Sequence, residues 1–217
     1  MDDQIYKNWI NYIFNHDETK GDWRFDPQFE YFQASDALVV KFITRILENY
    51  RNDIAHFSDW QIALGLDYIF NNSCSDYSLI IRDGKINLGQ RLNAIIALKN
   101  IYSDCFNKRC NQSLGHLSEP GNELNRTCYM LWDTTPLSYC EDNPDKIDLY
   151  KAVAEVMEYA ISLDNIACIE SGLHGLGHIS LYYPETKNII KRFIDSHPQL
   201  DVRLKKYAEG AKSGCIL

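Results

Sequence analysis

Apolar residues recur along this chain at steps of three and four over most of its length, the period of an amphipathic helix. The clearest segment runs from Leu88 to Phe106, where Leu88, Leu92, Ile95, Ile96, Ile101, Tyr102, Cys105 and Phe106 form the apolar face, with Arg91, Asn93, Lys99, Asn100 and Asp104 opposite. A second lies between Asp145 and Leu163, with Leu149, Val153, Val156, Ala160 and Leu163 as its stripe. The same spacing predicts helices at about Gln4 to Asn15, Ser35 to Tyr50, Ser58 to Asn71, Asn165 to Tyr182, Glu185 to Ser196 and Gln199 to Ala211. Ser35 or Asp36, Ser58 followed by Gln61, and Asp164 supply N-terminal caps.

Two stretches break the pattern. Tyr77 to Arg82, before Asp83-Gly84, alternates like a strand, but Lys85-Ile86-Asn87 makes a poor return, so at most a short hairpin is expected. Lys108 to Pro144 is irregular apart from an apolar island, Cys128 to Trp132, and reads as a long loop. The prediction is therefore one all-α domain over residues 1–217. Its helical pairs would stack as an irregular α-solenoid, HEAT-like but without a fixed repeat, or as a helical bundle.

Composition narrows the function. Apolar residues at 45% and charged residues at 24% suit a packed core, and 11 glycines with 6 prolines leave little of the turn chemistry an all-β fold needs. No apolar run is long enough to cross a bilayer, and the acidic start Met1-Asp2-Asp3-Gln4 is unlike a signal peptide. The seven scattered cysteines contain no C-x-x-C pair and read as reduced thiols. Cys215 has only two residues after it, one short of a prenylation signal. A cytoplasmic location with no membrane contact is the expectation. A net charge of −8 disfavours direct nucleic-acid binding and suits a basic protein partner.

The acids are clustered. Between Glu119 and Asp148 seven acids face two bases, and the first 36 residues carry eight acids against three bases. Aromatic residues interleave with them, which is how an interface anchors and steers a cationic partner. Trp132 and Tyr139 are the candidate anchors, with Asp133, Glu141, Asp142 and Asp145 as the candidate partner-binding acids.

One run is chemically specific. Glu170, His174 and His178 fall at i, i+4 and i+8, hence on one face of a helix. Paired imidazoles at that spacing chelate divalent metals, and in that reading Glu170 is a third ligand or a general base, with the Asp133 loop as the source of an additional ligand. The favoured alternative makes the histidines hydrogen-bonding core residues, while Cys168, Gly172, Gly175 and Ile179 let a neighbouring helix approach closely. No metal and no cofactor is expected on that account. Gly175 stands where a zinc-protease helix carries glutamate, and no phosphate-binding loop or nucleophile elbow is present.

The run Glu170 to His178, with Met130-Leu131-Trp132-Asp133 upstream, resembles a family of uncharacterised bacterial helical proteins in which a glutamate precedes a leucine–histidine–glycine run. Such chains are similar to HEAT-like scaffolds, and small acidic ones resemble immunity proteins that neutralise toxins. The resemblance implies a non-enzymatic protein that covers the active site of a basic toxin domain, such as a nuclease. A metal-dependent hydrolase centred on His174 and His178, and a scaffold subunit of a larger complex, are the alternatives.

Overall fold

The computed structural model describes residues 2–26, 28–83 and 85–216, and every regular element among them is helical. In chain order these are α1 (Asp2–Phe14), α2 (Asp36–Glu48), α3 (Tyr50–Asp53), α4 (Asp59–Phe70), α5 (Tyr77–Asp83), α6 (Leu88–Ile101), α7 (Asn107–Arg109), α8 (Glu123–Thr134), α9 (Lys146–Ile161), α10 (Ile166–His178), α11 (Glu185–Ser196) and α12 (Val202–Lys212). None of these helices is long and apolar enough to cross a membrane. Two of the predicted caps form: Ser35 accepts from Leu38 N, and Ser58 and Gln61 make a reciprocal capping box; α10 is capped one residue later than expected, by Asn165, which accepts from Ala167 N at 2.9 Å, and not by Asp164.

The helix expected from Leu88 to Phe106 is interrupted. Its last part, Tyr102–Phe106, is a π-helical turn, which re-aims Tyr102 so that its hydroxyl meets Ser171 Oγ at 2.7 Å and accepts from Trp132 Nε1 at 2.9 Å.

Two expectations are corrected. Tyr77 to Asp83 is α5 and not the first strand of a hairpin; Ser78 and Ile81 are buried, while Gly84, the proposed turn, lies outside the described residues. The stretch from Lys108 to Pro144 is not one long loop, because α8 occupies its centre. Asn122 and Asn125 cap α8 reciprocally, and Leu124, Cys128, Leu131 and Trp132 form its buried face at steps of four, three and one.

α10 is the centre of the molecule. Every residue from Ala167 to Gly177 is buried, as the helix packs against α8, α9 and α12 and more lightly against α11. α2 also packs on α6 and α4 on α8, pairs distant in sequence, alongside neighbouring pairs such as α9 with α10 and α11 with α12, as in a helical bundle or an irregular solenoid. The glycines allow this closeness. A Cβ at Gly172 would lie 2.6 Å from Met157 O on α9, and one at Gly175 would lie 2.7 Å from the Trp132 ring of α8. The small-residue face read from the sequence is therefore the face on which α8 and α9 close.

Candidate metal centre

The close packing of α8 on α10 brings one carboxylate to two imidazoles. Asp133 is the penultimate residue of α8, His178 the last of α10, and His174 lies one turn before it. Asp133 Oδ2 is 2.7 Å from His174 Nε2, Asp133 Oδ1 is 2.9 Å from His178 Nε2, and the two Nε2 atoms are 3.0 Å apart. One ligand atom from each of the three residues lies within 4.8 Å of the others, close enough for all three to reach a single cation. An ideal tetrahedral zinc with bonds near 2.0–2.1 Å places neighbouring donor atoms about 3.3 Å apart, so the preformed cluster is slightly tighter than a loaded one.

The two nitrogens facing each other are informative. An ionised carboxylate only accepts, so each imidazole donates an Nε2–H to Asp133 when no cation is present. Two such donors 3.0 Å apart repel each other, whereas two lone pairs directed at one cation do not. Burial raises the Asp133 pKa, but hydrogen bonds and charge from His174 and His178 outweigh it and hold the carboxyl well below its usual range. Asp133 is thus an anion at neutral pH, as a ligand must be.

Around the cluster, one side is closed and the other open. His174 is 4% exposed at its side chain, while His178 is 30% exposed and Asp133 27%. His174 Nδ1 is hydrogen-bonded to the Tyr207 hydroxyl of α12, and the Tyr129 ring of α8 packs on the His174 ring with centroids 4.8 Å apart. Burial, with Tyr129, Glu170 and Asp133 close by, pushes the Tyr207 pKa well up, so Tyr207 stays a neutral hydroxyl. A ligand histidine steadied through its second nitrogen is the usual support of a metal site.

Glu170 is not a member of this cluster, contrary to the ligand set read from helical spacing. Its carboxylate turns toward the segment before α8 and accepts from Gly115 N at 2.6 Å, from His116 N at 3.1 Å and from His116 Nδ1. His116, isolated in sequence, stacks on Tyr207 with centroids 4.3 Å apart and so braces the residue that braces His174.

The surface residues proposed as partner contacts scatter. Trp132 is buried at 1% exposure and donates to Tyr102, which removes it as a surface anchor; Gly175 leaves room for its ring in the core. Asp133 is taken up by the imidazoles, and Asp145 pairs with the buried Arg91. Glu141 pairs with Lys146 at 3.1 Å. Tyr139, 51% exposed, and Asp142, whose carboxylate is 3.9 Å from Arg82, remain open to a partner. No protein-family model matches the chain, nor does any curated protein or solved structure.

Proposed function

We propose that this protein binds a divalent cation through Asp133, His174 and His178 and uses it for metal-assisted hydrolysis. The observation that carries the reading is the convergence of one carboxylate and two imidazole nitrogens, from two helices, at 2.7–3.0 Å. Nitrogen and carboxylate donors of this kind suit zinc and its first-row neighbours. Three protein ligands with a solvent-facing side leave a coordination position for water, which distinguishes catalytic from structural zinc sites. A zinc ion held there would supply an activated water, its pKa lowered to about 7. With a cation held by Asp133, His174 and His178, such a water would supply the nucleophile of a hydrolysis, its proton passing to the leaving group as the scissile bond breaks.

The test is metal analysis of protein purified without an affinity tag, followed by zinc titration of the chelated protein. One equivalent bound by the wild type and none by H174A and H178A is the expected result. Equal uptake by all three, or no uptake by any, overturns the reading.

A second reading, a protein-binding domain of the immunity type, is supported by the exposed Tyr139 ring seated on Tyr182 at 5.4 Å beside Asp142. It predicts that recovery of a basic partner is lost in Y139A/D142K and kept in H178A.

A further inference from the structure

The helices that supply the metal ligands also line a cavity of about 310 Å³. On α8 and its cap, Asn122, Arg126, Tyr129 and Asp133 recur at steps of four, three and four, and on α10 Ala167, Glu170, His174 and His178 recur at three, four and four. Each set therefore shares one helix face, and the two faces form a continuous seam. Asp133, His174 and His178 close its C-terminal end; Asn122, Arg126, Tyr129, Ala167 and Glu170 border the cavity at the other. Tyr129 belongs to both, since it lines the cavity and its ring packs on His174.

The charges lining the cavity do not cancel. Glu119 accepts from Leu114 N at 2.8 Å and pairs with Arg203, and Glu170 is held by Gly115 N and His116. Both acids thus have their carboxylate oxygens engaged by partners behind the cavity. Arg126 is different: among the described residues its guanidinium makes no hydrogen bond or ion pair, and it acts on Asp22 only through space. A planar guanidinium at a cavity mouth is the side chain best suited to a carboxylate.

We infer that this cavity is the subsite for the terminal carboxylate of a short, extended peptide-like substrate, with Arg126 as the specificity-determining residue. Seven residues separate Arg126 from Asp133, about 10 Å along the helix at 1.5 Å per residue. An extended peptide spans that distance with about three residues. The anionic end and the bond presented to the metal thus sit at opposite ends of one seam. Only the cleavage half of this inference rests on the metal reading; recognition of the carboxylate stands on the cavity alone.

The experiment compares acetyl-Ala-Ala-Ala bearing a free carboxylate with its C-terminal amide, by NMR titration of labelled chelated and zinc-loaded protein. The free acid is expected to shift the signals of Asn125, Arg126 and Tyr129 saturably at millimolar concentration, with the amide binding at least roughly ten-fold more weakly, the worth of a charge-assisted hydrogen bond. R126Q, altering an exposed residue that makes no hydrogen bond among the described residues, should keep the fold and lose the preference for the acid. H178A should lose zinc and still bind the acid, so failure of the metal reading and failure of this one are told apart. Equal binding of acid and amide, an unchanged R126Q, or no shift with either peptide overturns the inference.

Discussion

Asp133 Oδ2 stands 2.7 Å from His174 Nε2, although 41 residues separate them, because Gly172 and Gly175 let α10 sink between α8 and α9. The carboxylate is the one anionic member of the cluster, so its charge governs cation affinity. Asp133→Asn keeps the size and removes the charge. Wild-type protein with zinc at 100 times its dissociation constant gains about 2.7 kcal/mol, which raises Tm by roughly 5–10 °C in a chain of this length. D133N should show little of that shift, while its metal-free Tm stays within a few degrees of wild type. Scanning calorimetry with and without zinc reads both values.

The closeness of α10 to α9 predicts an unusual response to a mild substitution. Alanine normally improves a helix by about 1 kcal/mol over glycine. At Gly172 the added Cβ would meet Met157 O at 2.6 Å, and a backbone atom cannot turn away. Gly172→Ala should therefore destabilise the protein by about 1–3 kcal/mol, the cost of overpacking, and lower its urea midpoint without changing the m-value.

Two neighbouring aspartates should behave oppositely. Asp145 pairs with Arg91, whose side chain is almost fully buried and also donates to Arg82 O at 2.8 Å. Asp145→Ala strands a buried cation; because Asp145 itself is partly exposed, the loss should be about 2–3 kcal/mol, below that of a fully buried pair. Asp142 lies on the surface with a distant partner, and Asp142→Ala should change stability by about 0.5 kcal/mol or less. Urea denaturation of the two variants side by side decides between them.

The fold was legible wherever helical periodicity ran long enough, as in α9 and α11, whose bounds lie within a residue or two of those read from the stripe. It failed at α5, where a short run of Tyr, Leu and Ile fits either period, and at α8. There the expectation of a loop followed Pro120-Gly121, although the Asn122 cap and the Leu124–Cys128–Leu131 stripe were already present. The site was half legible. Spacing within α10 identified His174 and His178, but it offered Glu170 as third ligand, since one helix cannot show what its neighbour delivers. Asp133 looked like a surface acid and Trp132 like a surface anchor because they follow each other at the end of α8, where one turns to the imidazoles and the other to the core. Tyr207 and His116 carried no local signal; Tyr207 sits in the apolar stripe of α12, where an aromatic residue reads as core.

A pH effect is expected away from the metal centre. Burial lowers the His16 pKa from its ordinary 6.5, and its ring stacks on Trp23 at 4.0 Å between centroids. A histidine with a depressed folded pKa binds fewer protons than the unfolded chain, so its contribution is intact above the ordinary pKa and is lost as pH falls below about 6.5. His16→Gln should flatten the decline of stability between neutral and mildly acidic pH relative to wild type. Denaturation midpoints across that range give the slope.

A cation bound by His174 must displace a ring proton. In the metal-free cluster His174 Nε2–H donates to Asp133, so Nδ1 accepts from the Tyr207 hydroxyl. When Nε2 binds a cation through its lone pair, the ring proton must sit on Nδ1 and donate to the Tyr207 oxygen. Tyr207 can reverse its role because its hydroxyl both donates and accepts, and its own proton can turn to the neighbouring Tyr129. Phenylalanine offers neither lone pair nor proton. Tyr207→Phe should therefore weaken zinc binding roughly 10- to 100-fold, as loss of a supporting hydrogen bond does at metal histidines. Nitrogen-15 spectra of the His174 ring should show the proton on Nε2 without zinc and on Nδ1 with it. An unchanged tautomer on zinc saturation would mean that His174 binds through no nitrogen facing Asp133, and would remove it from the ligand set.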